Sequence, residues 1–352
     1  QIHKEIEEAR SRVADLLGAE HEEIIFTSCG TESDNTAIIS AVESQPAKRH
    51  IITTRVEHPA VRNLCKYLGR KGYRITFLPV NHRGQLNIDD LLKALDEDTA
   101  LVTIMYANNE VGNVYPIEEI GHILRERRIL FHTDAVQAVG KIPINLKDLP
   151  VDMLSLSGHK LHSPKGMGAL YVRKGTRFHP YLIGGHQERG RRAGTENVAS
   201  IIGMGMACEL ADETIQKEAF YLSRLRDKLE VSLLKSCPDS RVNGDIESRL
   251  PNTSNLSFEY VEGEAILLRL NEYGICASSG SACSSGSLEP SHVLRAMGIP
   301  FTAIHGSIRF SLSRYNTEEE IDKVIEIVPR IIKELRLLSP FGKDKLGQTL
   351  CR

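Results

Sequence analysis

The sequence predicts an α/β fold, with a mainly parallel sheet flanked by helices and a smaller α+β domain. Through about residue 156, short apolar runs alternate with helical patterns of about ten or more residues, which is typical of such a sheet. After about residue 195 one long helical stretch replaces the alternation. The length of 352 residues also suits two domains of ordinary size.

The individual elements follow from hydrophobic periodicity. The chain opens with an amphipathic helix, because apolar residues recur at helical spacing before Gly18. Strands are then predicted at 24–27, 50–54, 74–78, 100–106, 129–133 and 151–156, and helices at 33–44, 59–70, 88–96 and 116–127. A long helix to about 236 precedes predicted strands at 253–259, 274–277 and 306–312 and a helix at 263–272. A last helix begins at Thr317, which forms a capping box with Glu320.

The domain limits and chain ends are also predicted. We expect a large domain at residues 1–208, whose N-terminal flank belongs with the small domain, and a small domain at 209–352. The chain begins at Gln1 without Met and already inside a helical pattern, so we expect that part of the N-terminus is missing. A loose tail is expected after Ser339.

Charge and composition exclude several classes of protein. The chain has 44 Lys and Arg against 46 Asp and Glu, a net charge of −2, which gives no electrostatic reason to bind nucleic acid or a membrane surface. It has neither an apolar run that could span a bilayer nor a signal segment, so a cytoplasmic protein is expected. The seven cysteines are odd in number and form no CxxC pair, which argues against a disulfide framework and a zinc site. No metal ligands are predicted.

A turn of small residues joins the strand at 24–27 to the next helix and includes Gly30 and Thr31. Free backbone N–H groups, hydroxyls and the positive end of a helix dipole together suit a phosphate. A capped turn without a ligand is the alternative.

Asp134 and Gln137 follow the strand at 129–133, at the strand end where ligands of parallel sheets bind. A carboxylate there can hold a protonated heterocycle nitrogen, as enzymes that use pyridoxal phosphate require to make the ring an electron sink. The alternative is an Asp that caps a following helix.

Ser157, His159 and Lys160 follow the strand at 151–156. A lysine in a walled site has a lowered pKa and can form a Schiff base, and the Ser and His beside it can hold a phosphate or a ring oxygen. Most lysines are merely solvated, but Lys160 lies among small, hydroxylated and imidazole residues.

Cys283 lies within 277–287, a segment of almost only small residues. Such a segment cannot pack a core, so we expect a mobile loop with an exposed thiol. Burial is expected instead for Cys65, Cys208 and Cys276, which lie in apolar patterns.

Two further candidates are charged or titratable residues associated with strands. Arg309 lies between apolar neighbours in the strand at 306–312, where a guanidinium can bind a substrate carboxylate or form a structural ion pair. His58 follows the strand at 50–54 and can stack on a flat ring or move a proton, with capping of the next helix as the default.

Together these segments resemble the cysteine desulfurases, which are pyridoxal phosphate enzymes of the aminotransferase fold (fold type I), and specifically their NifS/IscS branch. The likeness runs from TSCGTESDN at 27–35 to SIRFSL at 307–312. Its most specific parts are SGHK at 157–160, SGSAC at 279–283 and SLEPSHVLR at 287–295. The Arg-x-Gly-His-His-Cys pattern of the other branch is absent from the sequence.

The resemblance implies a role for each candidate residue. For the cofactor, pyridoxal 5′-phosphate, these are Lys160 as the covalent attachment, Asp134 at the ring nitrogen, Gln137 at the ring hydroxyl, and Gly30, Thr31, Ser157 and His159 at the phosphate. Thr195 reaches the phosphate bound by the partner subunit of a homodimer. His58 stacks on the ring and can move the thiol proton, and Asn109, with Asn108 as the adjacent alternative, lies beside cofactor or substrate. Arg309 binds the substrate carboxylate and Cys283 accepts the sulfur.

The function implied by the resemblance is conversion of L-cysteine to L-alanine. The sulfur passes as a persulfide on Cys283 to an acceptor, an iron–sulfur scaffold or another sulfur-acceptor protein. An alternative enzyme is a pyridoxal phosphate aminotransferase of the same fold that acts on serine or another small amino acid, for which Cys283 is dispensable. An alternative of another class is a non-catalytic sulfur or metal carrier, for which Lys160 is dispensable.

Overall fold

The computed structural model describes residues 1–279 and 290–339. The chain divides into two compact units. The first contains Gln1–Pro79, Leu86–Asn109 and Val114–Gln216, and the second contains Val80–Gln85, Glu110–Asn113 and the chain from Lys217 onward. The predicted domain limits at 208 and 209 stay a prediction. Cys283 and the predicted tail lie outside the described residues.

The first unit holds one sheet and its flanking helices. Its strands are β1 Ile24–Thr27, β2 His50–Thr54, β3 Arg74–Leu78, β4 Thr99–Thr103, β5 Leu130–Asp134, β6 Met153–Ser157 and β7 Gly168–Val172. Its helices are α1 Ile2–Leu17, α2 Gly30–Ser44, α3 Pro59–Arg70, α4 Ile88–Ala94, α5 Ile117–Glu126 and the first part of α6 Val198–Ser236. Gly18 ends α1 in the left-handed conformation, as its position in the sequence predicts.

The sheet of the first unit has the strand order β1-β7-β6-β5-β4-β2-β3. The pairs from β6 through β3 are parallel, and only the two pairs that involve β7 are antiparallel. The predicted mainly parallel sheet is therefore confirmed. Strand β7 is not predicted from the sequence, because it returns from β6 without the intervening α-helix on which the alternation rests.

Burial of the central strands accounts for the stability of this sheet. Every residue of β2, β4 and β6 is buried. An apolar cluster joins Ile25, Ile51, Leu101 and Leu170 of the strands to Ala37, Ile38, Val61 and Leu68 of α2 and α3. Each fully buried aliphatic side chain of this kind contributes about 1.5–3 kcal/mol.

The second unit holds a small antiparallel sheet in the order β10-β11-β9-β8. Its strands are β8 Ser240–Val242, β9 Thr253–Phe258, β10 Ser278–Ser279 and β11 Ser307–Ser311, and its helices are α7 Gly263–Glu272, α8 His292–Ala296, α9 Phe301–His305 and α10 Glu318–Leu338. The capping box of Thr317 and Glu320 is present at the start of α10, as predicted. The strand predicted at 274–277 is wrong: Gly274 has a φ of 71° in a turn, and pairing begins only at Ser278.

Of the helices in residues 1–279 and 290–339, none combines the length and the apolar character that crossing a membrane takes.

Candidate active site

Three strands of the first unit end next to one another at one edge of the sheet. Thr27 at the end of β1 and Ser157 at the end of β6 both pair with Gly168 of β7. Strand β5, whose last residue is Asp134, lies parallel to β6 on its other side. This edge therefore brings together three of the segments that the sequence marks as candidates.

The turn after β1 packs closely against the other two strand ends. Gly30 is the first residue of α2 and is buried, whereas Thr31 is exposed. A Cβ atom at residue 30 would lie 2.8 Å from Cγ2 of Val136 and 3.4 Å from Cβ of Ser157, so glycine permits this approach. The N–H groups of the first turn of α2 thus lie next to the side chain of Ser157, and donors of this kind suit a phosphate.

Asp134 is 5% exposed, and its Oδ1 accepts a hydrogen bond from Val136 N at 3.0 Å. Burial raises the pKa of Asp134, while the backbone bond and the positive charge of Lys160 lower it. Residues 136–141 form turns, so the alternative of an Asp that caps a helix is not observed. A buried carboxylate that responds to nearby cations suits a partner for a protonated ring nitrogen.

His58 caps α3, as the default interpretation predicts: its Nδ1 accepts a hydrogen bond from Ala60 N at 3.2 Å. Burial lowers the pKa of His58, Asp134 raises it, and Lys160 lowers it further. The lowered pKa keeps the imidazole mostly neutral at pH 7. The mutual effects on pKa show that His58, Asp134 and Lys160 lie within electrostatic range of one another.

Lys160 and His159 belong to a 3₁₀ helix, Gly158–Leu161, that directly follows β6. Lys160 is half-buried, and Lys141 Nζ donates a hydrogen bond to its carbonyl oxygen at 3.2 Å. His159 is exposed, and burial of part of its ring and the charge of Lys160 lower its pKa. The lysine is thus held at the strand edge and acts electrostatically on both histidines.

Gln137 and Asn109 are both half-buried in loops of the first unit. The adjacent alternative, Asn108, is fully buried, and its Nδ2 donates to the carbonyl oxygen of Val56 at 3.1 Å. This bond ties Asn108 to the backbone, and the role of Asn109 beside a ligand stays a prediction.

Thr195 is exposed, between the 3₁₀ helix Gln187–Gly190 and α6. Three residues earlier, Arg192 donates two hydrogen bonds to the Glu32 carboxylate, at 2.8 and 3.1 Å. Glu32 also accepts a bond from Ser28 N at 2.8 Å. The segment that carries Thr195 is therefore tied to the turn between β1 and α2.

Arg309 belongs to the second unit, in β11, where it pairs with Asn255 of β9 and Ser278 of β10. The pKa of Glu110 is raised to about 7, because the effect of burial exceeds the opposite effects of a hydrogen bond from Ser291 and the charge of Arg309. An acidic neighbour is compatible with the structural ion pair that the sequence left open. Binding of a substrate carboxylate by Arg309 stays a prediction.

The thiols differ in exposure. Cys65, Cys208 and Cys237 are buried and Cys29 is half-buried. The prediction that Cys276 is buried is wrong, because it is exposed in the extended segment before β10. Burial raises the pKa of Cys65 and of Cys208 to about 12, which suits packing rather than reaction.

Sequence reasoning missed two acids at this site, Asp34 and Glu57, both almost completely buried. Asp34, His58 and Asp134 each offer an atom within 4.8 Å of the others'. A signal for Asp34 was present, since it precedes Ala37 and Ile38 by three and four residues and so shares their buried face of α2. Glu57 carries no comparable pattern.

The family described as aminotransferase class-V matches residues 1–324. The cysteine desulfurase of Nostoc sp. is 64% identical over 347 residues, which cover 99% of this chain and 87% of the relative. The chain belongs to the cysteine desulfurases. Cysteine desulfurase NifS of Azotobacter vinelandii is also similar, with 59% identity over 97% of this chain and 85% of its own length.

Solved structures of relatives agree with this family. A NifS-like protein is 42% identical, with a TM-score of 0.89 over 95% of this chain and 89% of its own. A structure of SspA in complex with cysteine is 36% identical, with a TM-score of 0.78 over 90% of this chain and 88% of its own. The predicted family, its aminotransferase fold and a cysteine desulfurase as the enzyme are confirmed. The roles of the individual residues stay predictions.

Proposed function

We propose that this cysteine desulfurase uses pyridoxal 5′-phosphate to remove sulfur from L-cysteine, releases L-alanine and retains the sulfur as a persulfide on Cys283. The observation that carries the proposal is the meeting of the Gly30 turn, Asp134 and Ser157 at adjacent strand ends, with Lys160 three residues beyond Ser157. Membership of the cysteine desulfurases and the relative in complex with cysteine support the substrate.

The residues of the first unit fit this cofactor. Gly30, Thr31, Ser157 and His159 would bind the phosphate, and Lys160 would hold the cofactor covalently through Nζ. Asp134 would keep a proton on the ring nitrogen, Gln137 would donate to the ring hydroxyl, and His58 would stack on the ring. When bound, the cofactor supplies an electron sink for the bonds at the substrate Cα.

The protein side chains would move the protons and orient the substrate. Arg309 would bind the cysteine carboxylate, and Asn109 would lie beside the substrate or the cofactor. The Lys160 amine would take the Cα proton. His58, kept neutral by burial, would accept the thiol proton of Cys283. The Cys283 thiolate would then attack the substrate sulfur. An S–S bond forms as the S–C bond breaks, and the carbon keeps the electron pair and takes up protons to become alanine.

The reaction itself is tested by product analysis without a keto acid. With L-cysteine and a reductant, we expect alanine and sulfide in equal amounts from the wild-type protein and none from Lys160→Ala, because that variant lacks the base and the attachment point. Lys141→Ala, which removes a lysine beside residue 160, is the matched control and should retain turnover. Alanine that appears only when a keto acid is supplied would indicate the aminotransferase. A colourless protein whose sulfur binding is unchanged by Lys160→Ala would indicate the carrier.

The proposal also includes a sulfur-acceptor protein and an oligomeric state. A relative named NifS supports an iron–sulfur scaffold as the acceptor of the persulfide. A homodimer is proposed because the implied role of Thr195 needs a second subunit. The cytoplasmic location stays a prediction. Persulfide transfer to candidate scaffold proteins, measured on the isolated acceptor, tests the first of these points.

A further inference from the structure

Asp34 is a buried acid next to the proposed ring-nitrogen partner, and the mechanism above gives it no role. Its side chain is 1% exposed and lies on α2, one turn after Gly30. One carboxyl oxygen of Asp34, one of Asp134 and one ring nitrogen of His58 all lie within 4.8 Å of one another. Two buried acids this close cannot both ionise without a large electrostatic cost.

The neighbouring His132 gives Asp34 no compensating positive charge. Its Nε2 lies 3.7 Å from Asp34 Oδ1. Burial lowers the pKa of His132 to about 3, so this ring is neutral. Its two nitrogens are already bonded, Nδ1 to the hydroxyl of Thr103 at 2.9 Å and Nε2 to that of Ser155 at 2.9 Å. The contact is therefore polar rather than ionic.

The remaining neighbours of Asp34 also disfavour a second negative charge. Burial raises the pKa of Asp34 well above its ordinary value, and the negative charge of Asp134 raises it further. A hydrogen bond with Ser155 acts in the opposite direction. Within residues 1–279 and 290–339, Asp34 Oδ1 is buried and has no hydrogen-bond partner. A carboxylate oxygen in that position would be costly to keep ionised.

We propose that Asp34 is a positioning residue: Asp34 and Asp134 share one negative charge, with the proton on Asp34, so that Asp134 meets the cofactor ring nitrogen as a carboxylate. This inference rests on the proposed function of Asp134. The neutral Asp34 carboxyl lies close to Asp134 without competing for the ring proton. An ionised Asp34 would place a second negative charge in the pocket, where the carboxylate of Asp134 alone is required.

The first experiment reads the protonation of Asp34 directly. Infrared spectra of the full-length protein at pH 7, with and without pyridoxal phosphate, should contain the carbonyl band of a protonated carboxyl group that Asp34→Asn lacks. Glu57 and Glu110 also have pKa values raised by burial, so their bands must be common to both spectra. Glu57→Gln is the matched control and should keep the Asp34 band. A difference spectrum that loses only carboxylate bands on Asp34→Asn would overturn the proposal.

The second experiment reads the effect on the ring nitrogen. With cofactor labelled at the ring ¹⁵N, Asp34→Ala should shift the nitrogen resonance and weaken cofactor binding about tenfold or more, because Asp134 loses its support. Asp34→Asn, which keeps the shape and the single charge, should restore the wild-type resonance. An unchanged resonance in Asp34→Ala would overturn the positioning role. So would saturable Zn²⁺ binding by the cofactor-free protein that Asp34→Asn abolishes, since the cluster of Asp34, His58 and Asp134 would then be a metal site.

These outcomes are distinguishable from failure of the proposed function. Infrared and ¹⁵N measurements need no turnover, so they remain informative if alanine formation fails. Conversely, a spectrum that shows Asp34 ionised would overturn its positioning role but would not contradict the proposed desulfurase reaction.

Discussion

Burial sets the charge of the acidic side chains around the candidate site. Glu57 is fully buried, and its Oε1 accepts hydrogen bonds from the hydroxyl of Thr54 at 2.7 Å and from Met105 N at 3.1 Å. These bonds lower the pKa of Glu57, but burial, the largest effect, raises it to about 8. The acid is therefore neutral at pH 7 and adds no charge beside Asp134.

The raised pKa of Glu57 predicts how stability changes with pH. Between its ordinary pKa of 4.5 and about 8, the folded protein holds a proton that the unfolded chain has released. The free energy of unfolding should therefore fall as pH rises through this range, by up to about 1.4 kcal/mol per pH unit from this group. Glu57→Gln should lack that loss, so its stability relative to wild type should increase from pH 5 to pH 8 in urea unfolding. A constant difference at every pH would contradict the assignment.

At the scale of secondary-structure elements, a buried ion pair links a strained segment to strand β1. Arg10 of α1 and Glu188 bind each other through two hydrogen bonds, 2.6 and 2.9 Å, with side chains 4% and 3% exposed. Arg10 also donates to the carbonyl oxygen of Ile24, and Glu188 accepts from Phe26 N, so both residues bond to β1. The backbone φ values of Glu188 and Arg189 are 47° and 57°, which residues other than glycine rarely adopt. The strand that leads to the Gly30 turn is thus tied to the segment before Thr195.

Removal of one partner of this pair should be strongly destabilising. Glu188→Gln should lower the free energy of unfolding by about 3–5 kcal/mol, because it leaves the Arg10 guanidinium buried without its counter-charge. Glu8→Gln on α1 breaks an exposed pair with Lys4 and should cost less than about 1 kcal/mol. Urea unfolding of the two variants at one pH compares them. Equal losses would show that burial does not set the strength of the Arg10–Glu188 pair.

At the scale of the molecule, apolar surface next to the candidate site is consistent with a second subunit. An open cavity of about 850 Å³ in the first unit is lined by Thr31 and His58 together with Tyr181 and Ile183. Ile183 is 88% exposed. Large exposed apolar side chains that surround such a cavity favour an interface between proteins.

The proposed homodimer is tested at that surface. Ile183→Asp should convert a dimer into a monomer in size-exclusion chromatography with light scattering and weaken cofactor binding, because Thr195 of the partner subunit would be lost from the phosphate. Leu268→Asp, at a residue of α7 that is 70% exposed in the second unit, is the control and should stay dimeric. A wild-type monomer that binds pyridoxal phosphate tightly would refute the role of Thr195.

Much of the fold is predictable because its signals are local. The predicted limits of β2, α3 and β3 match the structure, since each lies between clear breaks in hydrophobic periodicity. Strand β7 and the exposure of Cys276 were not predictable in this way, because they depend on antiparallel pairing and on packing between distant segments. For the site, strand-end position pointed to Asp134 and Lys160. Glu57 escaped notice because only tertiary burial distinguishes it from a surface acid, whereas the place of Asp34 on the buried face of α2 was a signal that the sequence offered.

The central claim is that sulfur leaves the substrate and arrives on Cys283. It is tested most directly by mass spectrometry of the cofactor-loaded protein after one equivalent of L-cysteine, without reductant and with the thiols alkylated. We expect one added sulfur atom on Cys283 while alanine appears in equal amount, and no added sulfur on the exposed Cys276. Cys283→Ser should still change the visible spectrum of the cofactor on addition of substrate, but form no persulfide and release no sulfide. Sulfur found on another cysteine, or sulfide released by Cys283→Ser at the wild-type rate, would contradict the account.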